Sequence, residues 1–487
     1  MLFRALRRKI EQKLGRIRMS TVSSEILPPS NQGMKVLDRS LFHTRLPVVC
    51  VVFKEPKYIG QFAKNFKQDI LRLPGLPYAI SLPDHKTEQN RDGKSVVLDH
   101  RVKSTGCVEK ELSEACLQTI KEWEGTFVDY SFDLDYEFWR ADQILRSILP
   151  ADSKEQIPSG FSKTGHLAHM NLREEFKPYA SIIGQVIIDK NPSIKTVVDK
   201  LDTIDTTFRT FKMKVIAGED NFMVEQLENK CKFHFDFSKV YWNSRLSTEH
   251  ERLVGNFVSK TDAICDVMGG VGPFAIPAAK KLCVTFANDL NPESYKYLKV
   301  NIQENKVEGF VQPFNTDGKK FIWEAPRLLY EFSNKTKVIH RTEVKVSKTK
   351  DSSNKKHKKS VITEDVTIPT FFAHYIMNLP DSAITFLSDY VGLFTKAFPD
   401  LTQQQVETLP GFRLPTIHVY HFEKFSPDEP EPSNVELCHR MHAKVVKLIG
   451  FEIAFEELEF HNVRAVSPTK PMYCISFRLP SAVAFRR

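Results

Sequence analysis

Residues 231–242 read CKFHFDFSKVYW, with Phe233, Phe235 and Phe237 at every second position and polar residues between them. Alternation of period two predicts a strand with one apolar face. Upstream, YEFWRADQILRSIL (136–149) spaces its apolar residues three and four apart and predicts a helix. SIIGQVIID (181–189) and KTVVDK (195–200) are short runs rich in β-branched residues and predict strands. Nearer the start, Val48–Phe53 and Ser95–Leu98 are strand-like, and Glu109–Trp123 is helical. From about residue 256 strands and helices alternate, which predicts a doubly wound parallel sheet. Between Asn334 and Val361 the pattern is broken by a low-complexity, lysine-rich stretch that predicts a disordered insertion.

These patterns divide the chain into a linker at 19–33, a small mixed α/β domain at 34–130, a second α/β unit at 131–255 and a larger domain at 256–487 interrupted at about 334–361. A length of 487 residues suits two or three domains. The longest apolar runs fall well short of the 18 or so residues of a membrane span, so no membrane is expected as a partner.

Charge changes the picture only once it is located. Of the formal +9, residues 1–18 contribute +6 and residues 335–359 contribute +8, which leaves −5 on everything else. A nucleic-acid surface must therefore be a local patch. The eight cysteines show no C-x-x-C and no Cys/His ligand spacing, so neither a structural metal nor a secreted disulfide framework is expected. MLFRALRRKIEQKLGRIR places Leu2, Phe3, Leu6, Ile10 and Leu14 on one helical face among Arg and Lys, the pattern of a mitochondrial presequence. A basic RNA-binding helix or a nuclear import signal is the competing reading. Met19 offers a second start, from which a form for cytoplasm and nucleus would follow beside one for the mitochondrial matrix.

Chemistry concentrates at the ends of four successive strands. The first ends at Asp266 and enters a turn with Gly270 and Gly272, whose lack of side chains lets a ligand approach the backbone. With Ala275 the turn also satisfies G-x-G-x-x-G/A, so NAD and S-adenosylmethionine both remain open on this evidence. The second strand ends at Asp289, 23 residues on, where a carboxylate can hold a ribose hydroxyl pair. The third ends at Asp317 and Gly318, suited to an adenine amino group, and the fourth at Asn378-Leu379-Pro380-Asp381. Four such strand ends look like a class I methyltransferase, and the Asn-Leu-Pro-Asp sequence resembles the motif with which nitrogen methyltransferases grip a flat base. Asp381 replaces the aromatic residue of the amino-methylating enzymes.

RTFKMKVIAGE (209–219), FDFSKVYWNSRLSTEHERLV (235–254), DVMGGVGPFAIPAAKK (266–281), NDLNPESYKYLKVNI (288–302) and MNLPDSA (377–383) stand in this order. Together they resemble the eukaryotic and archaeal tRNA (guanine-37) N1-methyltransferases, of the class I and not the knotted bacterial type. The resemblance implies a Rossmann-like methyltransferase domain preceded by two smaller α/β domains, S-adenosylmethionine as cofactor, and a monomer that binds the anticodon stem-loop and outer corner of tRNA. It implies that Glu249 is the base that removes the guanine N1 proton, Arg209 the group that stabilises charge on O6, and Asn378 the residue that orients the base. Tyr241 and Pro380 would contact the faces of a flipped base. Methyl-donor contacts would fall to His250, Asp289, Leu290, Asp317, Gly318 and Asn378. Its product would protect the reading frame and begin wybutosine synthesis in tRNA-Phe.

The residues taken alone admit other readings. Glu249 suits a helix cap at Ser247 or Thr248, Arg209 an interdomain ion pair, Tyr241 a core position, and Arg245 either domain packing or phosphate contact. The rival activity is transfer of the aminocarboxypropyl group of the same cofactor.

Overall fold

The computed structural model describes residues 26–150, 157–204, 208, 210–348 and 357–487. The stretch 1–18 expected to be a presequence, Met19 and Arg209 lie outside the described residues. The chain divides into two compact units, one of residues 1–160, 172–193 and 216–218 and the other of 161–171, 194–215 and 219–487. Their borders do not follow the divisions at 130 and 255 drawn from the sequence, because the stretch from 161 to 218 passes back and forth between the units.

The first unit is built on strands β1 (Thr44–Val52), β2 (Ala79–Ser81), β3 (Lys94–Val97) and β4 (Thr126–Leu134), in the antiparallel order β2-β3-β1-β4. Val49, Val51 and Phe53 meet Phe62 and Ile120 of two helices in its core. The run 181–189, expected as a strand, is instead part of a helix over Ala180–Lys190. Its buried residues Ile182, Ile183, Val186 and Ile187 share a helical face, and a short apolar run fits either period. Gly184 lies on that face where an added Cβ would come within 2.7 Å of the Ala217 Cβ.

The second unit contains β5 (Ser162–Thr164), β6 (Leu167–Met170), β7 (Thr196–Ile204) and all but the last three residues of β8 (Phe211–Gly218), in sheet order β5-β6-β7-β8. A hairpin follows, β9 (Met223–Glu228) with β10 (Cys231–Asp236), and the alternating phenylalanines of β10 are all buried. The main sheet comprises β11 (Ala263–Asp266), β12 (Val284–Asn288), β13 (Val311–Phe314), and then, beyond a hairpin of β14 (Val338–Lys348) and β15 (His357–Thr367), β16 (His374–Met377), β17 (Thr416–Phe422), β18 (Glu459–Ser467) and β19 (Lys470–Arg478). Its order is β13-β12-β11-β16-β17-β19-β18, with the first five parallel and β19 antiparallel to both neighbours. β11 and β12 are wholly buried, as parallel strands covered on both faces must be. The chain runs outward from β11 to β13 and returns beside β11 as β16, so the strand order reverses between β11 and β16. Such a reversal opens a crevice at the carboxyl ends of the strands.

The insertion expected to be disordered is, in its described part, the paired hairpin of β14 and β15, in register from Val338↔Thr367 to Lys348↔His357. Val338, Thr342, Val344 and Val346 carry the β-branched periodicity that its many lysines hide from a reading by composition. Ile339 and Val366 anchor its base in the core. Residues 349–356 lie outside the described residues.

Candidate functional site

At the strand-order reversal lies a cavity of about 160 Å³, walled on one side by the loops after β11, β12 and β13 and on the other by Tyr241, Trp242, Asn243, Leu246, His250 and Asn378. The glycine turn after β11 forms its floor. Gly270 (φ +56°) donates its N–H to Asp289 Oδ2 at 2.8 Å, and Asp289 Oδ1 accepts from the Asn291 N–H at 2.8 Å. Asp289 thus fixes two loops by their backbone and retains lone pairs for a hydroxyl-bearing ligand. Burial raises its carboxyl above the ordinary range, against these hydrogen bonds. Asn288 ties the same loops together, donating to the Val267 and Thr316 carbonyls at 3.0 Å each and accepting from the Thr316 N–H at 2.9 Å.

Asp317 and Gly318 line the third strand's end of the cavity, as does half-exposed Leu290 at the second. The Asp317 carboxylate also caps the helix Gly318–Thr336, accepting from the Lys319 N–H at 2.9 Å. Two predicted cofactor residues stand behind the wall. Asp266 is fully buried beneath the turn, where a Cβ on Gly269 would come within 3.2 Å of its Oδ2. Neither of its carboxylate oxygens has a well-formed hydrogen bond, and burial first, with the charge of Asp289 second, pushes its carboxyl up to about 8 against a weak contact from the Met268 backbone N–H. Gly272 (φ +100°) permits close packing, since a Cβ there would meet Ile276 and Leu298 at 2.9 Å. The helix behind the turn, Ala275–Lys280, is under two turns long.

The opposite wall begins with Tyr241 and Trp242. Tyr241 is 42% exposed, so it is not a core residue. Trp242 is buried against Phe233 and Phe235 at ring distances of 5.2 and 5.0 Å, which is what the phenylalanine alternation accomplishes, and its indole N–H has no partner. His250 lines the cavity, packs edge-on to Phe274, and shares a hydrogen bond of 2.6 Å through Nδ1 with buried Glu228. Asn378 also lines it, and its Oδ1 is a buried acceptor with no partner. Pro380 is buried just outside the wall, accepting from the Phe422 N–H at 3.1 Å, while Asp381 faces Lys470 at 3.3 Å.

Glu249 is placed differently. It lies on the helix Ser247–Gly255, 5% exposed, and does not line the cavity. Arg252 donates to both of its oxygens at 2.7 and 2.8 Å, Tyr420 donates to Oε1 at 2.7 Å, and His461 stands 3.3 Å from Oε2. It does not cap its helix through its side chain. The Glu249 carboxylate in turn raises the Arg252 guanidinium. Arg245, on the turn Ser244–Leu246, is exposed and donates to Ser162 Oγ at 3.1 Å. Phe208, the residue before Arg209, lines the cavity.

Glu228, Asn288 and Trp242 were not singled out in the sequence. Trp242 and Asn288 adjoin residues that were, and Glu228 ends a strand whose pattern gives no hint of a buried charge. Among the described residues no cluster of His, Cys, Asp or Glu is suited to a metal, and no helix is long and apolar enough to cross a membrane.

Residues 224–351 match the TRM5/TYW2 methyltransferase domain and residues 141–221 match the TYW2 N-terminal domain. The chain is 49% identical to a tRNA (guanine(37)-N(1))-methyltransferase of Candida albicans, over 95% of this chain and 99% of that one. It is 44% identical to the enzyme of that description from Saccharomyces cerevisiae, over 97% and 98%. Trm5b from Pyrococcus abyssi has the same fold, with a TM-score of 0.52, 22% identity and coverage of 89% and 98%. So has aTrm5, solved in complex with tRNALeu, with a TM-score of 0.55, 18% identity and coverage of 89% and 99%. The chain belongs to the tRNA (guanine(37)-N(1))-methyltransferase family.

Proposed function

We propose that the protein transfers a methyl group from S-adenosylmethionine to N1 of guanine 37, the nucleotide 3′ of the anticodon, in tRNA. The observation that carries this reading is Asn378, which lines a cavity whose other side is the glycine turn with Asp289 and Asp317 and whose buried Oδ1 has no partner. A buried acceptor left bare costs about 1–3 kcal/mol, so it marks where a ligand's N–H belongs. The donor's parts fit the residues present: a ribose hydroxyl pair at Asp289, an adenine amino group at Asp317 and Gly318, and a close approach over Gly269 and Gly270, which carry no Cβ. When bound, S-adenosylmethionine supplies the electrophilic methyl group.

The chain's own task is at guanine N1, which holds a proton at neutral pH and is a poor nucleophile until that proton leaves. Its departure pushes negative charge onto O6. Glu249 takes the proton, and Arg209, next to cavity-lining Phe208, stabilises O6. Arg252 and Tyr420 hold the Glu249 carboxylate away from the cavity, so one oxygen must exchange Arg252 for the guanine N1–H as the base enters. Tyr241, exposed at the cavity mouth, covers one face of the flipped base, and Asn378 fixes its edge.

The same reading extends to a monomer serving tRNAs of cytoplasm, nucleus and mitochondria, with residues 1–18 directing the mitochondrial form and Met19 starting the other. It extends also to reading-frame maintenance and to the first step toward wybutosine. A fluorescent fusion to residues 1–30 that never enters mitochondria sinks the targeting part.

Labelled S-adenosylmethionine offered to unmodified transcripts with G or A at position 37 tests the reaction. Incorporation on the G transcript alone is expected, and equal or no incorporation on both overturns it. Product mass separates one added methyl from the heavier aminocarboxypropyl adduct.

A further inference from the structure

Beside the cavity mouth, several cations share one surface, with no carboxylate bonded to them among the described side chains. In the sheet of β5, β6 and β7, Ser162 pairs with His169 and His169 with Val198, so these three side chains project from one face, and Lys200, two residues beyond Val198, joins them. The contacts agree. Arg245 reaches Ser162 Oγ at 3.1 Å, and the His169 ring packs on Phe237 with centroids 5.0 Å apart. Half-buried Lys200 lies with its ammonium 4.2 Å from the Phe211 ring centroid and 5.8 Å from that of Phe237. No described carboxylate bonds to Lys200, Arg245 or Arg464. Arg464 sits where a bulge in β18 shifts the register between Asn462 and Arg464, three residues past the His461 that touches Glu249. A bulge of this kind re-aims a side chain.

We propose that Arg245 and Lys200 form a binding site for a phosphodiester of the RNA strand beside the target guanine. Arg245 belongs to the same short segment as Tyr241 and Asn243, which line the cavity, so a phosphate held there lies on the path of a nucleotide turned into it. The electrostatics support the geometry. Burial, and then the charge of Arg245, lowers the Lys200 ammonium to about 8, and the same two causes lower the Arg464 guanidinium. Burial, followed by the charges of Lys200 and Arg245, takes His169 down to about 3, so it stands neutral and adds no charge of its own. Cations that repel one another at a fixed site are stabilised by an anion, and the planar guanidinium of Arg245 suits two phosphate oxygens at once. The aromatic rings beneath Lys200 hold its ammonium in place without neutralising it.

This site rests on the tRNA reading above, and the test keeps the two apart. Binding of an unmodified anticodon stem-loop transcript is measured over a range of salt for wild type, Arg245→Ala, Arg245→Lys and Lys200→Gln. Calorimetry with S-adenosylhomocysteine is run on each variant. Loss of one phosphate contact on a single strand reduces the slope of log affinity against log salt by about 0.7. Arg245→Ala and Lys200→Gln are each expected to weaken RNA binding about tenfold with that reduction in slope. Arg245→Lys is expected to retain most of the slope, and all variants the wild-type affinity for S-adenosylhomocysteine. Unchanged RNA affinity and slope in both neutral variants overturns the site, as does weakened RNA binding with an unchanged slope. Failure of the wild-type protein to bind the stem-loop overturns the tRNA reading instead.

Discussion

The two walls of the cavity are built on opposite principles. On the glycine-turn side the polar groups at the cavity surface are already engaged: Asp289 holds Gly270 and Asn291, Asn288 holds Val267 and Thr316, and Asp317 caps a helix. On the facing side, Asn378 Oδ1 and the Trp242 indole N–H have no partner, and Glu249 is held by groups that lie off the cavity. A wall whose hydrogen bonds close within the protein keeps its shape without a ligand. A wall with open donors and acceptors acquires its final form only when the ligand supplies them. The methyl-donor half of the site is therefore formed beforehand, and the guanine half is completed on binding.

The sharpest way to break that contrast is at Glu249. Glu249→Gln retains shape and removes the base, and methyl transfer to a G37 transcript is expected to fall by about 10² or more. Its affinity for S-adenosylhomocysteine should not change, because Glu249 lies outside the wall that takes the donor. A variant that keeps its full rate takes the proton-transfer role away from Glu249. Next in size is Asn378→Ala. Loss of one hydrogen bond to the base, about 1–3 kcal/mol, predicts a drop in kcat/KM for tRNA of roughly tenfold to a hundredfold. An unchanged kcat/KM would mean that the open acceptor does not mark the base.

How far the contrast is legible in sequence follows from the same division. The engaged wall is made by strand ends, and Asp289, Asp317 and the glycines could be read because a parallel sheet places polar residues there whatever the loops do. The open wall depends on the β9–β10 hairpin, and period two in Phe233 and Phe235 predicts the strand but not that its purpose is to seat Trp242. Glu228 was invisible because nothing local distinguishes a buried carboxylate that meets a histidine 22 positions away from a solvated one. The helix at 180–190 is hidden because five β-branched residues within a nine-residue run fit either period, and the hairpin at 338–367 because lysine content outweighs alternation.

Glu228 sharpens the comparison from the donor side, because it is a buried carboxylate bonded to His250, a cavity-lining residue of the open segment. With Nδ1–H directed at Glu228, His250 is fixed in orientation and presents Nε2 elsewhere. A hydrogen bond to a charged group contributes about 1.5 kcal/mol or more, about tenfold in affinity when lost. Glu228→Gln is expected to weaken S-adenosylhomocysteine by about that factor in calorimetry while leaving kcat at saturating donor within about twofold. A fall in kcat with unchanged donor affinity would move His250 from the donor to the guanine.

Stability tests the engaged side by itself, at the carboxylate buried beneath its turn. Asp266 is fully buried, and burial together with the charge of Asp289 takes its carboxyl from an ordinary 3.8 up to about 8. A carboxyl whose folded value is raised binds a proton in the native state that the unfolded chain has already released. Its contribution is therefore fully present below pH 4 and is lost as pH rises toward 8, at up to about 1.4 kcal/mol per pH unit. Asp266→Asn cannot ionise, so its stability relative to wild type should improve steadily from pH 5 to pH 8, read as a widening gap in Tm of a few degrees. A gap that stays constant over that range would mean that Asp266 is ionised in the native protein, and that a cation or donor from the loops above it supplies the missing partner.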